Sequence, residues 1–330
     1  MRDVPLGLLL PDTEEMSQIE YGEFAEELGY DAAWMIELWG NDAFVELGAL
    51  AERTSEIELG TAIVNVFSRS PAVLAMGAAS LDDLSDGRFT LGTGVSTPKV
   101  IEDLHGEEYE QPVRQAHETI ELAEKYMRGD GSPVDYENQL FDVADFPSLG
   151  VNVDVFHAAL GPANRRVVGR LADGWIPHNV PFSGLSDAFE EVAKAAEERD
   201  RDPDDISVAP YVPAAVHEDE DDAMDAVRGH LAYYIGSGEG YRRAVATEFP
   251  DAADEVADHW HAGDRGEASA AVTDEMVNDL GVAGTPDNAR EKLGDLLDRV
   301  EIIDHPILAV PRQVDDETIR RTVEVFAPNE

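Results

Sequence analysis

Four short segments of this 330-residue chain bring together residue types able to do chemistry. In the first, the apolar run Asp31 to Ile36 leads directly into Glu37, with Leu38-Trp39-Gly40-Asn41 behind it. A carboxylate at the C-terminal end of a strand can serve as an acid, a base or an electrostatic partner for a developing cation. Capping the next helix or pairing with an arginine is the plain alternative. In the second, Leu59 to Val64 ends in Asn65 and Ser68 ahead of Pro71, so polar groups able to hydrogen-bond a planar ligand lie just before a helix start. The same segment also reads as an ordinary strand, loop and helix. In the third, Gly92-Thr93-Gly94 follows an apolar strand, but Thr97 stands where a dinucleotide fingerprint needs its third glycine. Pro98 likewise breaks a Gly-x-Ser-x-Gly nucleophile elbow. The fourth, Gly161-Pro162-Ala163-Asn164-Arg165-Arg166, joins a strand to a helix through a turn that leaves backbone N–H groups free, as a phosphate site requires. Its arginines could equally pair with surface acids.

Histidines add little. His259-Trp260-His261 lacks an evident third ligand and no His-Glu-x-x-His occurs, so no catalytic metal is expected. His178 and His305 stand at strand ends, where hydrogen bonding inside the fold explains them as well as chemistry does.

These segments need a scaffold, and the hydrophobic pattern supplies one. Short apolar runs alternate with longer amphipathic stretches. Strands are expected at Val4 to Leu10, Asp31 to Ile36, Ile57 to Val64, Arg88 to Thr93, Val153 to Leu160, Gly174 to Pro177, Ile206 to Val216 and Ile302 to Val310. Helices are expected at Gln18 to Leu28, Ala43 to Arg53, Ala72 to Leu84, Pro112 to Met127, Ala163 to Leu171, Leu185 to Arg199, Asp222 to Tyr234 and Asp287 to Val300. Eight such pairs favour a closed (β/α)8 TIM barrel over an open sheet, as a single domain spanning residues 1–330. Two insertions stand out: a long loop or hairpin at 129–150, and a helical insertion at 235–284 before the last helix.

Composition narrows the partners. Seventy Asp and Glu face 24 Lys and Arg, a formal net charge of -46, and the lysines are Lys99, Lys125, Lys194 and Lys292 alone. Such a surface repels nucleic acid and anionic membranes. It suits a high-salt cytoplasm, where the Debye length falls to about 3 Å at molar salt and carboxylate repulsion is screened. Cysteine is absent, which excludes disulfides, thiolate metal sites and cysteine nucleophiles. The opening apolar run is too short for a signal peptide or membrane span, so a soluble cytoplasmic protein is expected.

Taken in order, the four segments resemble the luciferase-like monooxygenase superfamily, in particular its coenzyme F420-dependent branch and the methylene-tetrahydromethanopterin reductases. The likeness runs through Gly29-Tyr30-Asp31, Trp34, Glu37, Asn41, Asn65 and Pro71-Ala72-Val73. It continues through Leu81 to Arg88, Leu91-Gly92-x-Gly94, Gln111-Pro112-Val113, Gly284-Thr285-Pro286-Asp287 and Asp304 to Leu308. The resemblance implies a (β/α)8 barrel holding a deazaflavin or flavin at the C-terminal ends of its strands, and a dimer. The ring would lie against Thr61, Ala62 and Ile63, at a non-prolyl cis peptide between the last two, with Asn65, Gly92, Gly94 and Ser96 lining its pocket. Cofactor phosphate would sit at Gly161, Pro162, Ala163 and Asn164, and Glu37 would be the catalytic carboxylate. The implied activity is hydride transfer between C5 of F420 and a small organic substrate, a methylene-tetrahydropterin or tetrahydrofolate one-carbon carrier. An FMN-dependent monooxygenase and a catalytically silent flavin-binding relative are the alternatives. This chain departs from the reductases at Leu9 and near Thr97, where they carry acids, and at Leu38, where many relatives have histidine.

Overall fold

The computed structural model describes residues 4–328. In chain order its elements are β1 (Gly7–Leu9), α1 (Gln18–Leu28), β2 (Ala32–Ile36), α2 (Ala43–Ala51), β3 (Glu58–Asn65), α3 (Pro71–Leu84) and β4 (Phe89–Gly94). A π-helical turn at Val100–His105 precedes α4 (Pro112–Met127), the strands β5 (Pro133–Glu137) and β6 (Asp142–Pro147), β7 (Asp154–Ala158), α5 (Pro162–Leu171), β8 (Gly174–Ile176) and α6 (Leu185–Glu197). Then come β9 (Ser207–Val208), β10 (Tyr211–Val216), α7 (Glu220–Ser237), α8 (Glu239–Val245), α9 (Pro250–Ala262), α10 (Arg265–Ala270) and α11 (Asp274–Leu280). The chain closes with β11 (Val282–Gly284), α12 (Ala289–Arg299), β12 (Ile307–Ala309) and α13 (Asp316–Val325).

Local chemistry sets the helix limits. Ser17 and Glu20 form a capping box at α1, and Gly29 ends that helix in the left-handed region at φ +81°. Asp42, Ser70, Thr273 and Asp315 each accept a backbone N–H at the start of α2, α3, α11 and α13.

The described residues form two compact units. One spans Ala33–Trp175 and Glu191–Ile206. Its strands β3, β4 and β7 pair in parallel, with Leu59 opposite Phe89 and Leu91 opposite Val155. The antiparallel pair β5–β6 occupies the 129–150 stretch and packs Val134 and Tyr136 on Leu122 of α4. The other unit takes in the described residues up to Ala32, Ile176–Glu190 and those from Ser207 on. There β1 and β10 flank β12, and β11 pairs with β10, all in parallel. The helices α7 to α11 share an apolar core that includes Val227, Leu231, Val256, Met276 and Leu280.

Three features depart from the sequence expectations. The run Ile206 to Val216 is broken into β9 and β10, because Pro210 has no N–H to give to a ladder. The stretch 235–284 holds β11 as well as helices; three residues are too few to show a period. The helix α13, hidden in an acidic tail, was not among the expected elements, yet it buries Ile319, Thr322 and Val323.

Candidate functional site

All the site residues expected from the sequence fall in the unit built on β3, β4 and β7, and the register brings them to one edge. Asn65 ends β3 opposite Gly94 of β4, and Gly94 lies opposite Ala158 at the end of β7. The strands are parallel, so their C-terminal ends, the polar loops after them and the N-terminus of α5 share that edge.

Between Gly60 and Val64 the β3 register slips: Gly60 pairs with Thr90 but Val64 pairs with Thr93, so β3 carries one extra residue. The buried Thr61 hydroxyl fills the gap, accepting from Gly92 N and donating to Gly92 O, both at 2.8 Å. Thr61 therefore has no hydroxyl hydrogen left for a ligand and belongs to the frame of the bulge. Ala62 is fully buried, whereas Ile63 is partly exposed. The cis peptide expected between them is absent: among the described residues every peptide is trans. A trans bond is favoured by about 3–4 kcal/mol, and the slipped register accommodates the extra residue without it. Gly94 packs closely on Ile63, whose side chain would have to shift by a few tenths of an ångström to admit a Cβ 3.3 Å away.

Asn65 is nearly fully buried, and both its Oδ1 and its Nδ2 are engaged. Its Oδ1 accepts from Phe67 N at 3.0 Å and Ser68 N at 2.8 Å, which fixes the amide orientation, so Nδ2 faces His105 Nε2 at 3.2 Å as a donor. His105 Nε2 is then the acceptor, and a neutral ring carries its proton on Nδ1. His105 closes the π-helical turn after β4, a geometry that recurs at functional sites. Ser96 sits there in the left-handed region at φ +57°, and its carbonyl accepts from Tyr109, whose ring stacks on Phe67 at 5.3 Å.

Glu37, one residue past β2, is anchored on both oxygens. Arg69 grips it bidentately, and Ala43 N at the start of α2 donates to Oε2 at 3.1 Å. The same guanidinium reaches Asp42 at 2.7 Å and lies 5.1 Å from the centre of the Phe44 ring. The hydrogen bond to Glu37 is the chief cause of a raised Arg69 pKa, against the opposing effect of burial.

The turn into α5 is built differently from the capped helices. Gly161 has no side chain to cap it, Gly161, Pro162 and Ala163 are exposed, and a Cβ on Gly161 would meet only open space. Asn164 is turned inward: Nδ2 donates to Ala158 O and Oδ1 accepts from His157 Nε2, both at 3.2 Å. His157 is fully buried, and burial pushes its pKa down to about 4, so it is neutral and takes the Thr93 hydroxyl on Nδ1 at 2.9 Å. Asn164 thus holds the turn in place rather than offering its side chain. Beside it, Arg165 lies 5.6 Å from the centre of the Trp175 ring, with a buried Nε that has no hydrogen-bond partner. An uncapped helix N-terminus with an arginine donor to spare is a donor set that fits a phosphate.

Three contributors were not singled out from the sequence. Arg69 was detectable as one of few cations in an acidic chain. His105 and His157 carried no local signal, because a π-turn and a strand pairing bring them to their partners.

The chain matches the family described as luciferase-like monooxygenase over residues 12–300. It is 28% identical over 320 residues to the 5,10-methylenetetrahydromethanopterin reductase of Methanopyrus kandleri, covering 90% of each chain. It is 26% identical over 291 residues to the enzyme of the same name from Methanolobus tindarius, covering 88% of this chain and 89% of that one. The solved coenzyme F420 dependent tetrahydromethanopterin reductase from Methanopyrus kandleri superposes with a TM-score of 0.81 at 23% identity, over 99% of this chain and 98% of that one. That likeness gives the fold class as the α/β barrel expected from the alternating strands and helices. The match over residues 12–300 makes this chain a member of the luciferase-like monooxygenase family.

Proposed function

We propose that the protein is a coenzyme F420-dependent oxidoreductase that moves a hydride to or from a small organic substrate, with a methylene-tetrahydropterin or tetrahydrofolate one-carbon carrier as the substrate class. The observation that carries the cofactor reading is the donor set at α5: free backbone N–H groups beside an Arg165 Nε without a partner. It suits the phosphate shared by F420 and FMN, and the likeness to the solved coenzyme F420 dependent tetrahydromethanopterin reductase favours the former.

When bound, the deazaflavin supplies the hydride chemistry. The protein's residues bind and orient. Gly161, Ala163 and Arg165 receive the phosphate. Ile63 and Ser96, both partly exposed at the ends of β3 and β4 beside Gly92 and Gly94, would lie against the deazaflavin ring. Asn65 fixes the His105 ring through Nε2, so the neutral imidazole can offer Nδ1–H as a hydrogen-bond donor. Glu37, clamped by Arg69, contributes negative charge at the end of β2 rather than a proton. The same reading places the protein in the cytoplasm of a high-salt cell, as a homodimer, without nucleic acid or membrane partners; no helix among the described residues is long and apolar enough to cross a membrane.

The test is a titration of purified protein in molar KCl with F420 and, separately, FMN. Saturable quenching of F420 fluorescence with weaker FMN binding is expected. Tighter FMN binding with oxygen uptake on reduction would instead favour a monooxygenase, and binding of neither would leave no oxidoreductase reading.

A further inference from the structure

The unit that contains α7 to α11 holds a second polar cluster which the cofactor reading does not use. His178 and Asn179 follow β8, Tyr211 opens β10, His230 and Tyr234 lie one turn apart on α7, and Tyr241 belongs to α8. The His178 ring centre is 4.3 Å from that of Tyr234, 4.8 Å from Tyr211, 5.1 Å from Tyr241 and 6.1 Å from His230. His178, Asn179 and His230 are 8%, 3% and 7% exposed. Nε2 of both imidazoles and both polar atoms of the Asn179 side chain are buried without a hydrogen-bond partner.

A cluster kept only for stability would not look like this. Each orphaned polar group destabilises the fold relative to an apolar replacement of the same shape. Buried polar groups left unpaired in a native fold point to something that pairs with them.

The chemistry of the missing partner follows from the orphaned atoms. Burial, chiefly, holds His178 well below the usual histidine range and His230 at about 4, so both rings are neutral at pH 7 and each Nε2 either donates or accepts. The Asn179 amide needs one donor and one acceptor. The walls are aromatic, which suits a planar ring. Arg312, just past β12, is exposed, forms no ion pair with any described residue and is near enough to disfavour protonation of His230. In a chain with 70 acidic residues, an arginine without an acidic partner stands ready for an anion.

We propose that His178, Asn179 and His230, walled by tyrosines, bind the neutral, amide-bearing heteroaromatic ring of the organic substrate, while Arg312 takes an anionic group on the same molecule. This rests on the oxidoreductase reading only for calling the ligand a substrate. Tyr241 is partly exposed and rides on the seven-residue helix α8 behind Gly236-Ser237-Gly238, so it is the side chain that yields to admit the ring.

Isothermal titration calorimetry tests this with two probes, pterin-6-carboxylate and 6-methylpterin, in molar KCl and without F420. Wild-type protein should bind the carboxylate saturably and the methyl compound about ten-fold more weakly. His178→Phe and Asn179→Gly should each lower affinity for pterin-6-carboxylate by about ten-fold or more, yet leave the unfolding temperature unchanged or raised. No saturable pterin binding by wild type, unchanged affinity in both variants, or a lowered unfolding temperature for His178→Phe would overturn the proposal. A parallel F420 titration separates the two claims. Pterin binding without F420 binding sustains this site and removes the cofactor reading; F420 binding without pterin binding does the reverse.

Discussion

A carboxylate whose two oxygens are both engaged by strong donors gives up little as a proton donor and much as a fixed charge. Glu37 is in that position, clamped by Arg69 and by Ala43 N, with side chains only 11% and 16% exposed for the acid and the arginine. The two partners are not equivalent. Arg69→Ala strands Glu37 in a poorly solvated place and should destabilise the protein by about 3 kcal/mol. Glu37→Gln keeps the shape, and Arg69 keeps its bond to Asp42, so the loss should be smaller, about 1–2 kcal/mol. Urea unfolding at fixed KCl measures both, and an inverted order would mean that Arg69 is not what holds Glu37. Such pairing was open in the sequence as the alternative to catalysis, but the partner was not: Arg69 lies 32 positions away, and only the adjacency of β2 and β3 joins them.

At the scale of elements, close approach decides more than propensity. Gly169 of α5 lies against α6, where an added Cβ would fall 2.1 Å from Val192 O and 2.9 Å from Ala195 Cβ. Backbone cannot yield as a side-chain tip can, so Gly169→Ala should cost about 2 kcal/mol or more. Gly229, midway along α7, meets nothing within 4 Å, and Gly229→Ala should stabilise by about 0.5–1 kcal/mol through helix propensity. Thermal unfolding of both variants checks the contrast; equal shifts would show that packing does not separate them. Neither glycine could be told from the other in the sequence, since both interrupt a helical pattern alike. What was legible was periodic or capped: α1 and α4 have the expected limits, and β2, β3 and β4 lie within a residue of theirs. What was not legible depended on tertiary pairing, as with the three-residue β11 or the inward turn of Asn164, whose partners Ala158 and His157 sit on β7. The Thr61 hydroxyl is likewise committed by a register slip that no single strand reveals.

The molecule as a whole answers to pH and salt through different charges. Four histidines are buried with depressed pKa values, His157, His230 and His305 at about 4 and His178 well below the usual histidine range, in each case chiefly through burial. Between the unfolded value near 6.5 and these folded values the unfolded chain binds more protons, so their contribution is intact above about pH 6.5 and is lost as pH falls toward 4. His157, His230 and His305 each contribute about 3 kcal/mol. Glu124, pushed up to about 7 by burial against the pull of Arg128, works the other way over about pH 4.5–7, as do Asp82 and Asp154, which burial also raises, while the half-buried His117 is lowered with the other histidines. Urea unfolding free energies at fixed KCl should therefore decline steeply below pH 6.5, and a flat profile down to pH 5 would sink this account. Salt acts on the net charge of -46. Self-repulsion among ionised carboxylates is screened as the Debye length shortens from about 10 Å at 0.1 M to about 3 Å at 1 M, a change that is largely complete by molar salt. Preferential exclusion of salt from the surface instead keeps growing with concentration and is stronger for sulfate than for chloride. At pH 7 the unfolding temperature should thus climb sharply between 0.1 and 1 M KCl and level off, with sulfate and chloride nearly matched at equal ionic strength over that range. Calorimetry distinguishes the cases: a rise that stays linear to 3 M, or one far larger in sulfate, would assign the measured salt dependence to hydration rather than to the acidic surface.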